Sequence, residues 1–315
     1  MSKRQKENDF RTSIGGQALI EGILMRGPTK QAIVVRTPDG LVPKVEEPHF
    51  VRQEHKWLGW PLIRGAVAFI ESMVYGVKAL TYSANMLPED EQEEPSRFEA
   101  WVEKKLGSEK AEKFFIDLAV VLGVVLSVGL FILLPTLIAG WITDAGATSF
   151  WRNFTEGGIR IVIFLLYMYL CTKSQDLKRV FRYHGAEHKT IFCYEKGLEL
   201  TVENVRPQSR FHPRCGTSFL FIVMIISIFV FSFLSWSNPW MRMGARLLLL
   251  PVVMGVSYEI IRWAGRNDNW LSTVLSAPGK ALQRLTTAEP DDEMMECAIK
   301  ALKLVIPEEK GLDKW

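Results

Sequence analysis

FFIDLAVVLGVVLSVGLFILLPTLIAGWI, residues 114–142, contains one charged residue, Asp117, and one proline, Pro135, in an otherwise apolar run. About 20 apolar residues cross a 30 Å hydrocarbon core as a helix, so this stretch is long enough to span a membrane with tilt. Three further stretches extend the pattern. Residues 157–172 are fewer, about 24 Å as a helix, and cross if Arg160 snorkels outward. Residues 217–236 are nearly free of charge, and residues 244–263 carry Glu259 and Arg262 near their end. Together these predict an α-helical membrane protein with about four transmembrane helices.

The connections between these spans are unequal in charge. Residues 143–156 contain one basic side chain, Arg152, and residues 237–243 contain only Arg242. Residues 173–216 carry nine, including Lys189, Arg206, Arg210 and Arg214. Basic loops stay on the cytosolic side, which places the N-terminus, the middle loop and the C-terminus in the cytosol. An even number of spans agrees with that sidedness.

Whole-chain averages hide this partition. The 315 residues are 48% hydrophobic and 23% charged, with mean hydropathy +0.08, because very apolar and very polar stretches are mixed. That composition excludes a disordered chain, and a net charge of +3 excludes a strongly basic nucleic-acid binder. Four cysteines are too few for a disulfide scaffold, and cytosol-facing cysteines are reduced thiols available to a metal. The opening MSKRQKENDFRTS has no apolar core, so a cleaved secretory signal is not expected.

The polar parts divide the chain into segments. Residues 1–56 are expected to form a small cytosolic β-element. Within it, QAIVVRTPDGLVPKVE (31–46) places two β-branched runs around Pro38-Asp39-Gly40, a hairpin signal. Residues 57–113 hold an amphipathic helix over 60–87 and a linker with acids from Glu89 to Glu94. On that helix Arg64, Glu71 and Lys78 form one stripe, and Gly65, Ser72, Gly76 and Ser83 form a second of small residues suited to close packing. It can lie in the interface, re-enter it or span. Residues 114–172 and 217–264 contain the two pairs of spans. Residues 265–315 form a cytosolic tail with an amphipathic helix whose apolar face includes Met294, Ala298, Ala301, Leu302 and Val305.

Chemistry concentrates in the middle segment, 173–216. In RYHGAEHKT, His184 and His188 are four residues apart and share one helix face, with Glu187 beside the second. The order H-x-x-E-H is that of inverted zinc hydrolases, in which two imidazoles bind the ion and the glutamate acts as base. FHPRCGTSF adds His212 and Cys215 at the mouth of the third span, completing a possible four-ligand zinc set of His184, His188, His212 and Cys215. The two pairs meet only if the intervening CYEKGLELTVENVRPQS folds back, for which a short hairpin is the expected device. Four protein ligands describe a structural site; three plus an open position describe a catalytic one, with Glu187 as base. Glu259, an acid inside a span, is a second catalytic candidate, although a pair with Arg262 one turn away accounts for it equally well. Asp117 is expected at similar depth.

Four stretches, GGQALIEGILMRGP, YHGAEHKTI, ENVRPQSRFHPRCGTSF and LTTAEPDDE, resemble the YqhQ-like family of bacterial membrane proteins, over about residues 14–301. The resemblance implies a multi-span protein of the bacterial inner membrane, sometimes described as a metal-dependent enzyme, and carries no substrate with it. Two functions follow from residues and resemblance together. One is a metal-dependent hydrolase acting on a membrane-associated peptide or lipid at the cytosolic surface. The other is a non-catalytic accessory factor docked on another membrane protein complex, with any zinc purely structural. The lipid bilayer is the expected surrounding in either case, and nucleic acid is not an expected partner.

Overall fold

The computed structural model describes residues 10–48, 50–86, 96–143, 148–234, 239–267 and 269–315. The acidic linker from Glu89 to Glu94 lies outside them. In chain order the elements are β1 (Gly15–Leu19), β2 (Gly22–Arg26), β3 (Gln31–Thr37), β4 (Gly40–Glu46), α1 (Val51–Glu54), α2 (Ile63–Ala84), α3 (Arg97–Leu106), α4 (Ser108–Val128), a π-helical turn (Gly129–Leu133), α5 (Leu134–Ile142), α6 (Ser149–Cys171), α7 (Gln175–Glu195), α8 (Val202–Val205), α9 (Gly216–Ser232), α10 (Pro239–Arg266), α11 (Trp270–Thr286) and α12 (Asp292–Val305). They fall into two units: residues 1–86, 168–227 and 238–315 form the first, and 87–167 with 228–237 the second.

In the first unit the strands form an antiparallel sheet in the order β1-β2-β3-β4. The Pro38-Asp39-Gly40 turn joins β3 to β4 as expected: Thr37 pairs with Gly40, whose φ of +123° suits glycine. The central strands read as continuous apolar runs because both faces are covered. Ile23, Met25, Ala32 and Val34 pack with residues of α7 and α12, whereas Leu19, Leu24, Ile33 and Val35 pack with Ala79 of α2. The apolar positions expected on α12 (Met294, Ala298, Ala301, Leu302 and Val305) are all buried in the first of these clusters. Asp291 caps α12 by accepting from the Met294 N–H at 2.9 Å, and Asp292 and Glu293 stand at its positive end.

The small-residue stripe of α2 is its packing face. A Cβ on Gly65 would stand 3.0 Å from the Gly255 Cα of α10, and one on Gly255 would stand 2.0 Å from the Leu62 carbonyl oxygen. Ser72 accepts from the Gln17 side chain of β1 at 2.6 Å, which ties the same helix to the sheet. The helix starts at Ile63 rather than Trp60, after Leu62 at a φ of +70°.

Among the described residues, three helices are long and apolar enough to cross a membrane: residues 113–142, 149–171 and 243–266. The third of the four expected spans is a shorter apolar helix, Gly216–Ser232. At 17 residues it is about 26 Å long, near the lower limit for crossing. Helix α6 begins eight residues earlier than hydropathy alone indicated, and its polar first turns change the reading of Arg160. In the second unit Arg160 is not snorkelling outward. It pairs with buried Glu156 at 3.0 Å, and its Nε donates to the Phe131 carbonyl at 2.8 Å. Pro135 has no N–H to return to that carbonyl four residues earlier, so arginine supplies the donor that proline lacks. Asn153 donates to the carbonyls of Phe231 and Leu234 in the same unit. Asp117 is exposed on α4.

Candidate metal centre

Helix α7 is capped by Ser174, whose hydroxyl accepts from the Leu177 N–H, and ends before Gly197 at a φ of +66°. HGAEH therefore lies on a helix, and residues 185–191 are all buried. Gly185, which weakens a helix by about 1 kcal/mol relative to alanine, is required here by packing. A Cβ at that position would stand 2.1 Å from the Ala288 carbonyl oxygen. The segment following α11 crosses α7 at this point. It is held by Lys189 to Glu289 at 2.6 Å and Arg182 to Asp291 at 2.9 Å.

His184, His188 and Cys215 converge: one ligand atom from each lies within 4.8 Å of the other two. His184 Nε2 is 3.1 Å from Cys215 Sγ, and the two imidazole centroids are 4.4 Å apart. Ligands of a tetrahedral zinc ion stand about 3.5 Å from one another, so closing on an ion requires shifts of an ångström or so. The outer nitrogens are already engaged. His184 Nδ1 is 2.8 Å from the Thr286 carbonyl oxygen and His188 Nδ1 is 2.5 Å from that of Arg210. In its neutral form each imidazole then carries its proton on Nδ1 and presents the Nε2 lone pair to an ion, the carbonyl contact orienting the ring as it does in metal-ligating histidines.

Glu187 adjoins this group. Its Oε1 accepts from the Gly16 N–H of β1 at 2.9 Å, and it is 5% exposed. A Cβ on Gly16 would stand 2.7 Å from the Leu24 carbonyl and 3.0 Å from the Glu187 side chain, so glycine permits this approach. Burial raises the Glu187 carboxyl above the ordinary range, although His188 and His184 oppose the shift. Burial alone would also raise the Cys215 thiol, yet the two imidazoles outweigh it and hold the thiol well below its usual value. Burial disfavours charge on His184 as well; Cys215 overcomes it and lifts the imidazole to about 9. An electron-rich sulfur beside two oriented imidazoles is a donor set that suits a borderline-soft divalent ion.

His212 is adjacent to the group and held differently. Its ring centroid is 5.5 Å from that of His188, but its Nε2 faces Glu195 at 3.8 Å and its Nδ1 accepts from the Arg214 N–H at 3.3 Å. Its backbone is clasped by Gln283, which accepts from His212 N and donates to His212 O, both at 2.7 Å. Burial holds its pKa down to about 4, against the pull of Glu195. Glu195 itself resists the upward push of burial because His212, Arg214 and the Thr12 N–H favour its charged form. Glu259 likewise stands apart from the three-residue group. It receives Arg64 Nε at 2.7 Å and Nη2 at 2.5 Å, so its main partner is on α2 rather than Arg262. The chain between the two halves of the centre returns through a bend and the single turn of α8. No hairpin forms there: α7 takes in the first three residues of the expected excursion, to Glu195, and Val202–Val205 is helical rather than extended.

No sign in the sequence pointed to the residues that orient these side chains: Thr286 and Arg210 for the two liganding histidines, Gly16 for Glu187 and Gln283 for His212. Three of them act through backbone atoms, which carry no residue signature. Each nevertheless falls in or beside a motif that the family resemblance had marked.

A helical protein with membrane-type spans, a covered four-stranded sheet and a His/His/Cys group is the class that these features define. Residues 60–308 match the family described as "Protein of unknown function (DUF1385)", and the chain belongs to that family. It is 34% identical over 294 residues to "Uncharacterized protein YqhQ" of Bacillus subtilis (strain 168), covering 91% of this chain and 90% of the relative. No solved structure matches it.

Proposed function

We propose that His184, His188 and Cys215 hold a divalent ion of the zinc type and that the protein is a metal-dependent hydrolase of the bacterial inner membrane. Its substrate is a membrane-associated peptide or lipid, met at the cytosolic boundary where Cys215 precedes the apolar helix α9. The observation that carries this reading is the convergence of three donors, the two imidazoles among them already hydrogen-bonded through Nδ1, with a buried carboxylate beside them. Three protein ligands are the catalytic stoichiometry, which leaves a position for substrate or water. When bound, such an ion supplies Lewis acidity and acidifies water within its reach. Glu187 acts as the base: Gly16 fixes Oε1, and Oε2 takes the proton. The basic charge of the middle segment supports a cytosolic location for both termini and the centre.

Elemental analysis of the purified full-length protein tests this proposal. The expected result is close to one zinc per chain, lost in Cys215→Ser and retained in Glu187→Gln. Metal-free protein that keeps its helicity and melting temperature would sink it.

One observation favours a second reading. His188 is 1% exposed and Cys215 9%, so the centre is as enclosed as a structural tie between α7 and the start of α9. In that case the protein is an accessory factor for another membrane complex, and Glu187→Gln leaves its cellular phenotype unchanged.

A further inference from the structure

Helix α2 buries its small residues and leaves an apolar face open. Ile70, Met73, Val74, Val77 and Leu80 recur at intervals of three and four residues along one side, and all are exposed, Ile70 to 60%. No charged side chain interrupts that row; Lys78, beside it, stands over the Tyr75 ring. Five adjoining apolar side chains exceed what a water-facing helix normally presents.

We propose that this face lies against the acyl chains of the cytosolic leaflet, so that α2 is a half-inserted helix rather than a fifth span. Its inner face indicates the occupant. Gly65 packs on Gly255, and Arg64 pairs with Glu259, both within the span formed by residues 243–266. What surrounds α10 therefore continues around the outer side of α2. Exposed tryptophans flank the region: Trp57 and Trp60 precede the helix, and Trp270 follows α10, as at a membrane interface. The other half of α2 covers the sheet through Ala79 and Ser72, on the sheet's second face, so crossing to the far side is ruled out. The inference rests on α10 lying in lipid and is independent of the metal.

The test is photocrosslinking of the full-length protein in phosphatidylethanolamine/phosphatidylglycerol vesicles. A benzophenone-bearing amino acid replaces Val74 or Val77, with Leu248 (80% exposed on α10) and Lys303 (exposed on α12) as references. Intact-phospholipid adducts are expected at Val74 and Val77 in yields comparable to Leu248, with none at Lys303. Adducts only to another protein or a second copy, or no adduct at Val74 and Val77 while Leu248 reacts, overturn the proposal. Loss of lipid adducts at Leu248 as well overturns both the proposal and the spanning role of α10. The substituted side chains point outward, so these variants keep the packing of the parent chain.

Discussion

Glu187 on α7 and Glu259 on α10 are carboxylates in settings that disfavour charge, and their surroundings resolve that conflict in opposite ways. Glu259 receives two hydrogen bonds from Arg64, which neutralise it and join two helices. Glu187 receives a backbone N–H from Gly16 and stands beside two imidazoles and a thiol whose free atoms converge. The Glu156–Arg160 pair repeats the first pattern, with the carbonyl of Phe131 as a further acceptor. A buried charge therefore does not by itself mark a site. Convergent donors with satisfied outer atoms do.

Removal of a ligand should break the comparison most completely. His188→Ala or Cys215→Ser is expected to lower zinc affinity by at least about 100-fold, more than loss of a hydrogen bond behind a ligand produces, as read by competition with a chelating dye. Next comes the base. Glu187→Gln should keep the metal and lower turnover about 10²–10⁴-fold on any substrate found, whereas Glu259→Gln should leave turnover within a few-fold. A turnover loss in Glu259→Gln equal to that in Glu187→Gln would erase the distinction between the two acids.

Packing effects should be smaller. Gly185→Ala forces a methyl group against the Ala288 carbonyl and is expected to cost about 3 kcal/mol of stability, seen as a lower denaturation midpoint. Glu259→Gln removes one charge of a partly exposed pair and should cost about 1–2 kcal/mol, with zinc content unchanged. Least affected is Asp292→Asn. Its bond to Arg206 joins two side chains more than half exposed and screened by solvent, so the denaturation midpoint should not move measurably.

Local rules made much of this legible from residue order. Hydropathy located the apolar helices, because burial in lipid demands an unbroken apolar run. A spacing of four placed His184 and His188 on one face, since the angle between them is set within a single turn. Pro38-Asp39-Gly40 specified its hairpin for the same kind of reason. The tertiary structure alone decided which of His212 and Cys215 joins that pair, which arginine neutralises Glu259, and why Gly185 and Gly16 are glycines. Those outcomes depend on contacts between segments tens to hundreds of residues apart. Such contacts are selected by packing and hydrogen-bond completion over the whole unit, and periodicity carries no record of them.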